Sequence, residues 1–177
     1  MFSGKTTVLL RLLRSEPAQA ILVIRHDRDK RFSRSRITTH DGDGCEAVTV
    51  GCAREILDHA AAASEVVAVD EGHFYDAELP EICRQLANAG KRVIVTALDL
   101  DMWGLPFETI ERLKEQAGAV HVRRATCARC GQPASHTHRK TPIVGGNLVG
   151  GSADFEPRCQ NCWSPPPEEH IDSAEMA

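Results

Sequence analysis

The sequence has no apolar run approaching the roughly 20 residues that a membrane span requires; Val93 to Leu98 is among its longer ones. Its first residues carry no charged-then-apolar leader, so a cytoplasmic protein with no membrane partner is expected. A basic excess is also missing. Lys and Arg number 21 against 25 Asp and Glu, a formal net charge of −4, whereas proteins that live on phosphate backbones usually carry a positive surplus. Between Cys130 and Cys159 the only aromatic residue is Phe155, which leaves little for base stacking. Nucleic acid is therefore not an expected partner, although His136, His138, Arg139 and Lys140 lie in that stretch. There is no internal repeat.

What remains is an ordinary globular composition, 42% hydrophobic and 26% charged over 177 residues. That length suits one domain, or one domain with a small appendage, and can bury a core without disulfides or a metal. Strand-like and helix-like segments alternate. Helical spacing runs from Thr6 to about Arg14, with Val8, Leu9, Leu12 and Leu13 as its apolar positions and Pro17 as its stop. Ala20 to Ile24 is strand-like, Arg25 to Gly44 reads as one long loop, Ala47 to Val50 as a strand and Ala53 to Ala63 as a helix. Glu65 to Asp70 follows as a buried strand ending in acid, then a helix from Leu79 to Asn88 stopped by Ala89-Gly90. Lys91 to Leu98 is the next strand and Pro106 to Gln116 the last helix. This alternation predicts an α/β fold with a parallel sheet covered by helices on both faces. The expected boundaries are a nucleotide-binding domain over 1–122, a smaller metal-binding unit over 123–163 and a disordered tail over 164–177.

Ser3-Gly4-Lys5-Thr6 ahead of a helix is the second half of the phosphate loop Gly-x-x-x-x-Gly-Lys-[Ser/Thr]. Glycine lets backbone N–H groups converge on phosphate oxygens, and a helix N-terminus adds positive potential. Lys5 would neutralise the β- and γ-phosphates while the Thr6 hydroxyl and Asp70, at the end of a later strand, hold Mg²⁺. A bare helix N-terminus and an ordinary acidic strand end are the bland alternatives. The motif's first glycine, and the strand that should feed the loop, would lie before Met1, so an upstream start is expected.

Seven cysteines are scattered except for two close pairs, Cys127-x-x-Cys130 and Cys159-x-x-Cys162. Two such knuckles complete a tetrahedral four-thiolate site, for which zinc is the natural ion; an iron centre is the alternative. Four thiolates leave no open position, so the ion is structural. The 28 residues between the knuckles read as a loop pinned by the metal. Cys45, Cys52 and Cys83 read as small buried apolar residues.

Met1-Phe-Ser-Gly-Lys-Thr6, Asp70-Glu-Gly-His-Phe74, Ala97-Leu-Asp99, Pro106-Phe107, Gly150-Gly151 and the two knuckles together resemble the type II, zinc-containing (human cytosolic-like) thymidine kinases. The resemblance covers Met1 to about Trp163. It implies a RecA-like α/β domain with a zinc ribbon and a lasso loop, a homotetramer, and transfer of the γ-phosphoryl group of ATP to the 5′-hydroxyl of thymidine. It implies that Glu71 is the general base, a carboxylate beside the metal-binding Asp70 that faces the acceptor. Ser3, Gly4, Lys5, Thr6, Asp29, Arg31, Asp70 and His73 would serve ATP, with Arg31 stabilising charge on the transferred group.

Around the nucleoside the resemblance places Met1, Phe74, Leu98, Met102, Phe107, Thr137 and Phe155, with the stretch Gly146, Asn147, Leu148, Val149 and Gly150 binding the base through backbone groups. His73 stands where Gln is usual, Met102 replaces an aromatic, Phe155 replaces Tyr, and Trp103 occupies a position often polar or basic. These departures raise two alternatives, a related deoxynucleoside as substrate and a catalytically impaired nucleotide-binding relic. A zinc-ribbon nucleic-acid module is the third.

Overall fold

The computed structural model describes residues 1–17, 20–29, 35–38, 43–61, 64–142 and 149–166. They divide into two compact units. One comprises Ser3–Asp99 with Pro106–Arg123; the other comprises Met1–Phe2, Leu100–Leu105 and the described residues from Arg124 onward.

The larger unit is built on a four-stranded parallel sheet, strands β1 (Ile21–His26), β4 (Val48–Val50), β5 (Val66–Val69) and β6 (Arg92–Val95), in the order β4-β1-β5-β6. Alternation along each strand sends successive side chains to opposite faces. Ile24, Val67 and Val69, with Leu22, Val93 and Val95 alongside, pack under Ile56, Leu79, Ile82, Cys83 and Leu86. Those five come from α2 (Glu55–His59) and α3 (Leu79–Asn88). The neighbouring positions Val23, Val66 and Ala68, with Ile21 and Ile94, pack against Leu9, Leu10 and Leu13 of α1 (Lys5–Leu13). A strand covered on both faces reads as a continuous apolar run, and Val66–Val69 does, with all four residues buried. A further helix, α4 (Glu108–Gln116), packs beside α3.

Several expectations need correction. The stretch Arg25 to Gly44 is not one loop, because β2 (Arg36–Thr38) lies in it and pairs antiparallel with β3 (Gly44–Glu46), which begins at its last residue. The pair carries just one buried apolar side chain, Ile37, too little for a hydrophobic period to show. The helix expected over Ala53 to Ala63 is a short one, Glu55–His59, and α1 buries Leu10 while Leu12 stands exposed. Of the three scattered cysteines, Cys83 is buried, but Cys45 and Cys52 are half-buried.

In the smaller unit, β7 (Ala125–Thr126) pairs with β8 (Pro133–Ala134), and β9 (His136–Arg139) pairs with β10 (Phe155–Arg158), both antiparallel. The stretch between the knuckles is therefore strand-bearing, not a plain loop. No described helix is long and apolar enough to cross a membrane.

Candidate active site

Parallel pairing sets the site. Ile24 pairs with Val69, and Val69 with Val95, so Arg25, Asp70 and Thr96 form the next row, at the carboxyl ends of three neighbouring strands. Open α/β sheets bind ligands at those ends. Asp70 is 4% and Glu71 6% exposed, burial that acidic residues tolerate only with partners.

The turn after β5 is tightly constructed. Glu71 adopts a left-handed backbone, φ 52 and ψ 49, a conformation that costs a non-glycine residue about 1–2 kcal/mol and persists where the surroundings fix it. Its N–H donates to Asp70 Oδ1 at 3.1 Å and lies 3.4 Å from Thr96 Oγ1. The Thr96 hydroxyl donates to the same Asp70 oxygen. The Gly72 N–H donates to the Thr96 carbonyl at 2.7 Å. Glycine is required at 72 for space, since a Cβ there would meet Val95 Cγ1 at 2.6 Å.

Lys5 opens α1 behind Gly4, whose φ of +73 suits glycine. The Lys5 ammonium reaches to 4.0 Å from Glu71 Oε2. The first N–H groups of a helix lack intrahelical partners and attract anions. Arg123 Nε donates to the Ser3 carbonyl at 3.2 Å and steadies the residue ahead of Gly4. His73 follows in a short 3₁₀ turn, Gly72–Phe74, with its ring 4.4 Å from that of Phe74 and 5.1 Å from that of Phe107. Its Nδ1 accepts the Leu98 N–H at 3.2 Å.

Asp29 is buried beyond β1, where its carbonyl accepts a hydrogen bond from the Arg25 guanidinium. The same guanidinium donates to the Arg36 carbonyl at 3.2 Å, so one buried cation ties Asp29 to the start of β2. The structure thus brings Lys5, Asp70, Glu71 and His73 into one cluster with Leu98, Phe74 and Phe107 at its edge. Arg31 lies outside the described residues, and Thr6 is half-buried in the first turn of α1.

In the smaller unit, Met102 and Phe155 are buried together with Met1, Phe2 and Trp103 packed on them. Asp101 Oδ1 accepts both the Trp103 and Leu105 N–H groups at 2.9 Å, closing the turn that presents Met102. Thr137 is buried in β9, and its Oγ1 accepts from Met1 N at 3.1 Å. The Arg139 guanidinium lies over the Phe155 ring, 5.1 Å from its centroid, and its Nε donates to the Thr141 carbonyl at 3.0 Å. Asp154 accepts from the Gly151 N–H at 3.2 Å and from Thr141 Oγ1 at 3.3 Å. These contacts tie Thr141 and Gly151 to Asp154, next to Gly150; Gly146, Asn147 and Leu148 lie outside the described residues.

Sequence reading missed Thr96, Arg25, Arg139 and Asp154. The first could have been found, because a lone hydroxyl in the apolar run Val93 to Leu98 breaks the pattern at the strand end.

The sulfurs of Cys127, Cys130, Cys159 and Cys162 all lie within 4.8 Å of one another, with Cys130 and Cys159 at 3.5 Å. A tetrahedral zinc with bonds of about 2.3 Å needs sulfurs about 3.8 Å apart, so this donor set fits zinc. The first knuckle turns back through a Gly131 N–H bond to the Cys127 carbonyl at 3.0 Å, with Gly131 at φ 74. Burial opposes ionisation of Cys127, yet surrounding backbone N–H groups bring its thiol down to about 6. Cys162 is pushed up to about 12, chiefly by sharing hydrogen bonds with the Cys130 and Cys159 sulfurs. A divalent cation would replace those shared protons.

The family model described as "Thymidine kinase" matches residues 1–163. A thymidine kinase of Rhodothermus sp. (strain ITI 518) is 40% identical over 168 residues, 94% of this chain and 78% of that protein. The chain belongs to the thymidine kinase family.

Proposed function

We propose that this protein phosphorylates thymidine, transferring the γ-phosphoryl group of ATP to the 5′-hydroxyl, with Glu71 as the general base. The observation that carries the reading is the buried Glu71 carboxylate, set in a left-handed turn beside Asp70 with the Lys5 ammonium 4.0 Å away. Phosphoryl transfer needs little covalent chemistry from a protein; it needs positioning and charge stabilisation. Family membership over residues 1–163 supports the reaction and does not favour an inert relic or an altered nucleoside preference.

Lys5 and the N-terminal turn of α1 hold the β- and γ-phosphates, and Glu71 accepts the proton of the attacking hydroxyl. Asp70 and the Thr6 hydroxyl would hold Mg²⁺, which would neutralise charge on the transferred phosphates. Asp29, Arg31 and His73 complete the ATP side. The nucleoside is bound by Phe74, Leu98 and Phe107, by Met1, Met102, Thr137 and Phe155, and by backbone groups from Gly146 to Gly150. Zinc on the four cysteines holds the smaller unit folded. We place the enzyme in the cytoplasm as a homotetramer that needs neither nucleic acid nor membrane, a state that sedimentation velocity measures directly.

The test is thymidine-dependent ADP formation by the 177-residue chain, with Glu71→Gln as its control. Turnover that disappears in the control supports both the reaction and the base. Undiminished turnover in Glu71→Gln assigns the proton to another group.

A further inference from the structure

We propose that Thr96 is a positioning residue for phosphoryl transfer, acting through Asp70 and Glu71; the inference rests on the reading of Glu71 as base. Thr96 stands one residue past the end of β6 and is stitched to the turn that carries both carboxylates. Its own N–H donates to the Val69 carbonyl at 2.9 Å, and its carbonyl accepts the Gly72 N–H at 2.7 Å. These two bonds would survive with any side chain but proline's at position 96. The hydroxyl adds what the backbone does not.

A threonine hydroxyl has one proton to give and two lone pairs, whereas an ionised carboxylate accepts alone. The direction of the bond between Thr96 Oγ1 and Asp70 Oδ1 follows: Thr96 donates. The hydroxyl oxygen then faces the Glu71 N–H at 3.4 Å, and that N–H is shared with Asp70 Oδ1 at 3.1 Å. Three atoms, Asp70 Oδ1, Thr96 Oγ1 and Glu71 N, thus close one small ring of hydrogen bonds. The ring sets the rotation of the Asp70 carboxylate and holds Glu71 in its left-handed conformation, and so fixes where the Glu71 side chain leaves the backbone.

The composition of this segment supports a dedicated role. In Val93-Ile-Val-Thr-Ala-Leu98 every other residue is apolar, and Val93, Val95 and Ile94 pack into the two cores. A valine at 96 would continue that pattern at nearly the same volume. A hydroxyl at this place therefore reflects the need of its neighbour across the sheet, not the need of the core.

The experiment compares Thr96→Val, which removes the hydroxyl at constant shape, with Thr96→Ser, which keeps it. Thr96→Val is expected to lower kcat about 10- to 100-fold, the scale of a small misplacement of reacting groups, with KM for thymidine little changed. Thr96→Ser is expected to retain most of kcat. A second reading is independent of activity: in the nucleotide-free protein, amide hydrogen exchange at Glu71 should quicken in Thr96→Val and stay slow in Thr96→Ser. Wild-type kcat and wild-type exchange in Thr96→Val would overturn the proposal, as would equal losses in the two variants. Glu71→Gln separates the levels. If that variant keeps full turnover the base assignment fails, while the exchange rates still decide whether Thr96 holds the turn.

Discussion

His73 Nδ1 accepts the Leu98 N–H at 3.2 Å and lies 3.5 Å from Glu71 Oε2. One nitrogen cannot accept from an N–H and donate to a carboxylate at the same time. The backbone bond uses Nδ1 as an acceptor and so favours the tautomer with its proton on Nε2. The 3.5 Å approach to Glu71, an ion pair when the ring is protonated, competes with that bond. A proton on Nδ1 would break the Leu98 bond and pair the ring with the base.

Nitrogen-15 shifts of the imidazole should accordingly report an unprotonated Nδ1 in the active protein. His73→Asn, whose side-chain oxygen can take the place of Nδ1, should keep more activity than His73→Leu. Equal activity in the two variants would show that the Leu98 bond does not matter to turnover.

Lys5 bears on the same carboxylate from the other side, 4.0 Å from Glu71 Oε2. Removing an electrostatic donor of this type from a transfer site costs about 100- to 1,000-fold in rate. Lys5→Met is expected to show that loss in kcat, together with weaker ATP binding, while the melting temperature barely moves. A large drop in melting temperature would instead mark the pair as structural.

Zinc removal should act on one unit. The four sulfurs sit where β7, β8 and β10 come together, and beyond Cys127, Ala134 and Cys159 that cluster buries few apolar groups. Strands of two residues, such as Ala125–Thr126 and Pro133–Ala134, are too short to persist unaided. A strong chelator, or Cys127→Ser, should abolish amide protection in β7, β8, β9 and β10 while β1, β5 and β6 stay protected. Loss of bound zinc with protection unchanged would refute a folding role for the metal.

Gly104 is required by the folded chain and not by any local sequence pattern. Its φ is +81, and a Cβ would lie 2.9 Å from the Trp163 ring, which itself stacks on His136 at 4.4 Å. Gly104→Ala combines backbone strain with a clash and should destabilise the smaller unit by about 1–3 kcal/mol. Thermal unfolding followed by Trp fluorescence measures it. A change below about 0.5 kcal/mol, the level of an ordinary surface substitution, would mean that the ring simply moves aside.

The contrast between these residues shows what the sequence could reveal. Val66–Val69 was legible as a buried strand because both of its faces are covered and every residue is apolar. The cysteine knuckles were legible because metal chemistry fixes their spacing. Arg25 was not, and Thr96 showed only as a lone hydroxyl in an apolar run, since their roles come from strand register: each lies across from Asp70 through pairing between segments distant in sequence. The β2–β3 pair escaped for a different reason, as strands of three residues leave no period to detect. Glu71 could be named from its motif, yet its left-handed backbone is a property of the folded turn.

His26 provides a test of acid stability. Its ring is buried, edge-on to Tyr75 at 4.7 Å, and Nδ1 accepts the Arg28 N–H at 3.1 Å. Burial pushes its pKa below the ordinary 6.5; Asp27 opposes that shift and the Arg28 charge reinforces it. Above pH 6.5 the imidazole is neutral in both the folded and the unfolded chain, so its contribution to stability is complete. As pH falls below 6.5 the unfolded chain binds a proton that the folded chain refuses, and stability declines until the lower folded pKa is passed. The slope from one such group is at most about 1.4 kcal/mol per pH unit. His26→Asn retains an acceptor for the Arg28 N–H and cannot titrate. It should unfold at a lower temperature than wild type at pH 7.5, because the ring contact with Tyr75 is lost, but lose less further stability between pH 6.5 and 5. Parallel pH dependences for the two proteins would assign the acid sensitivity to other groups.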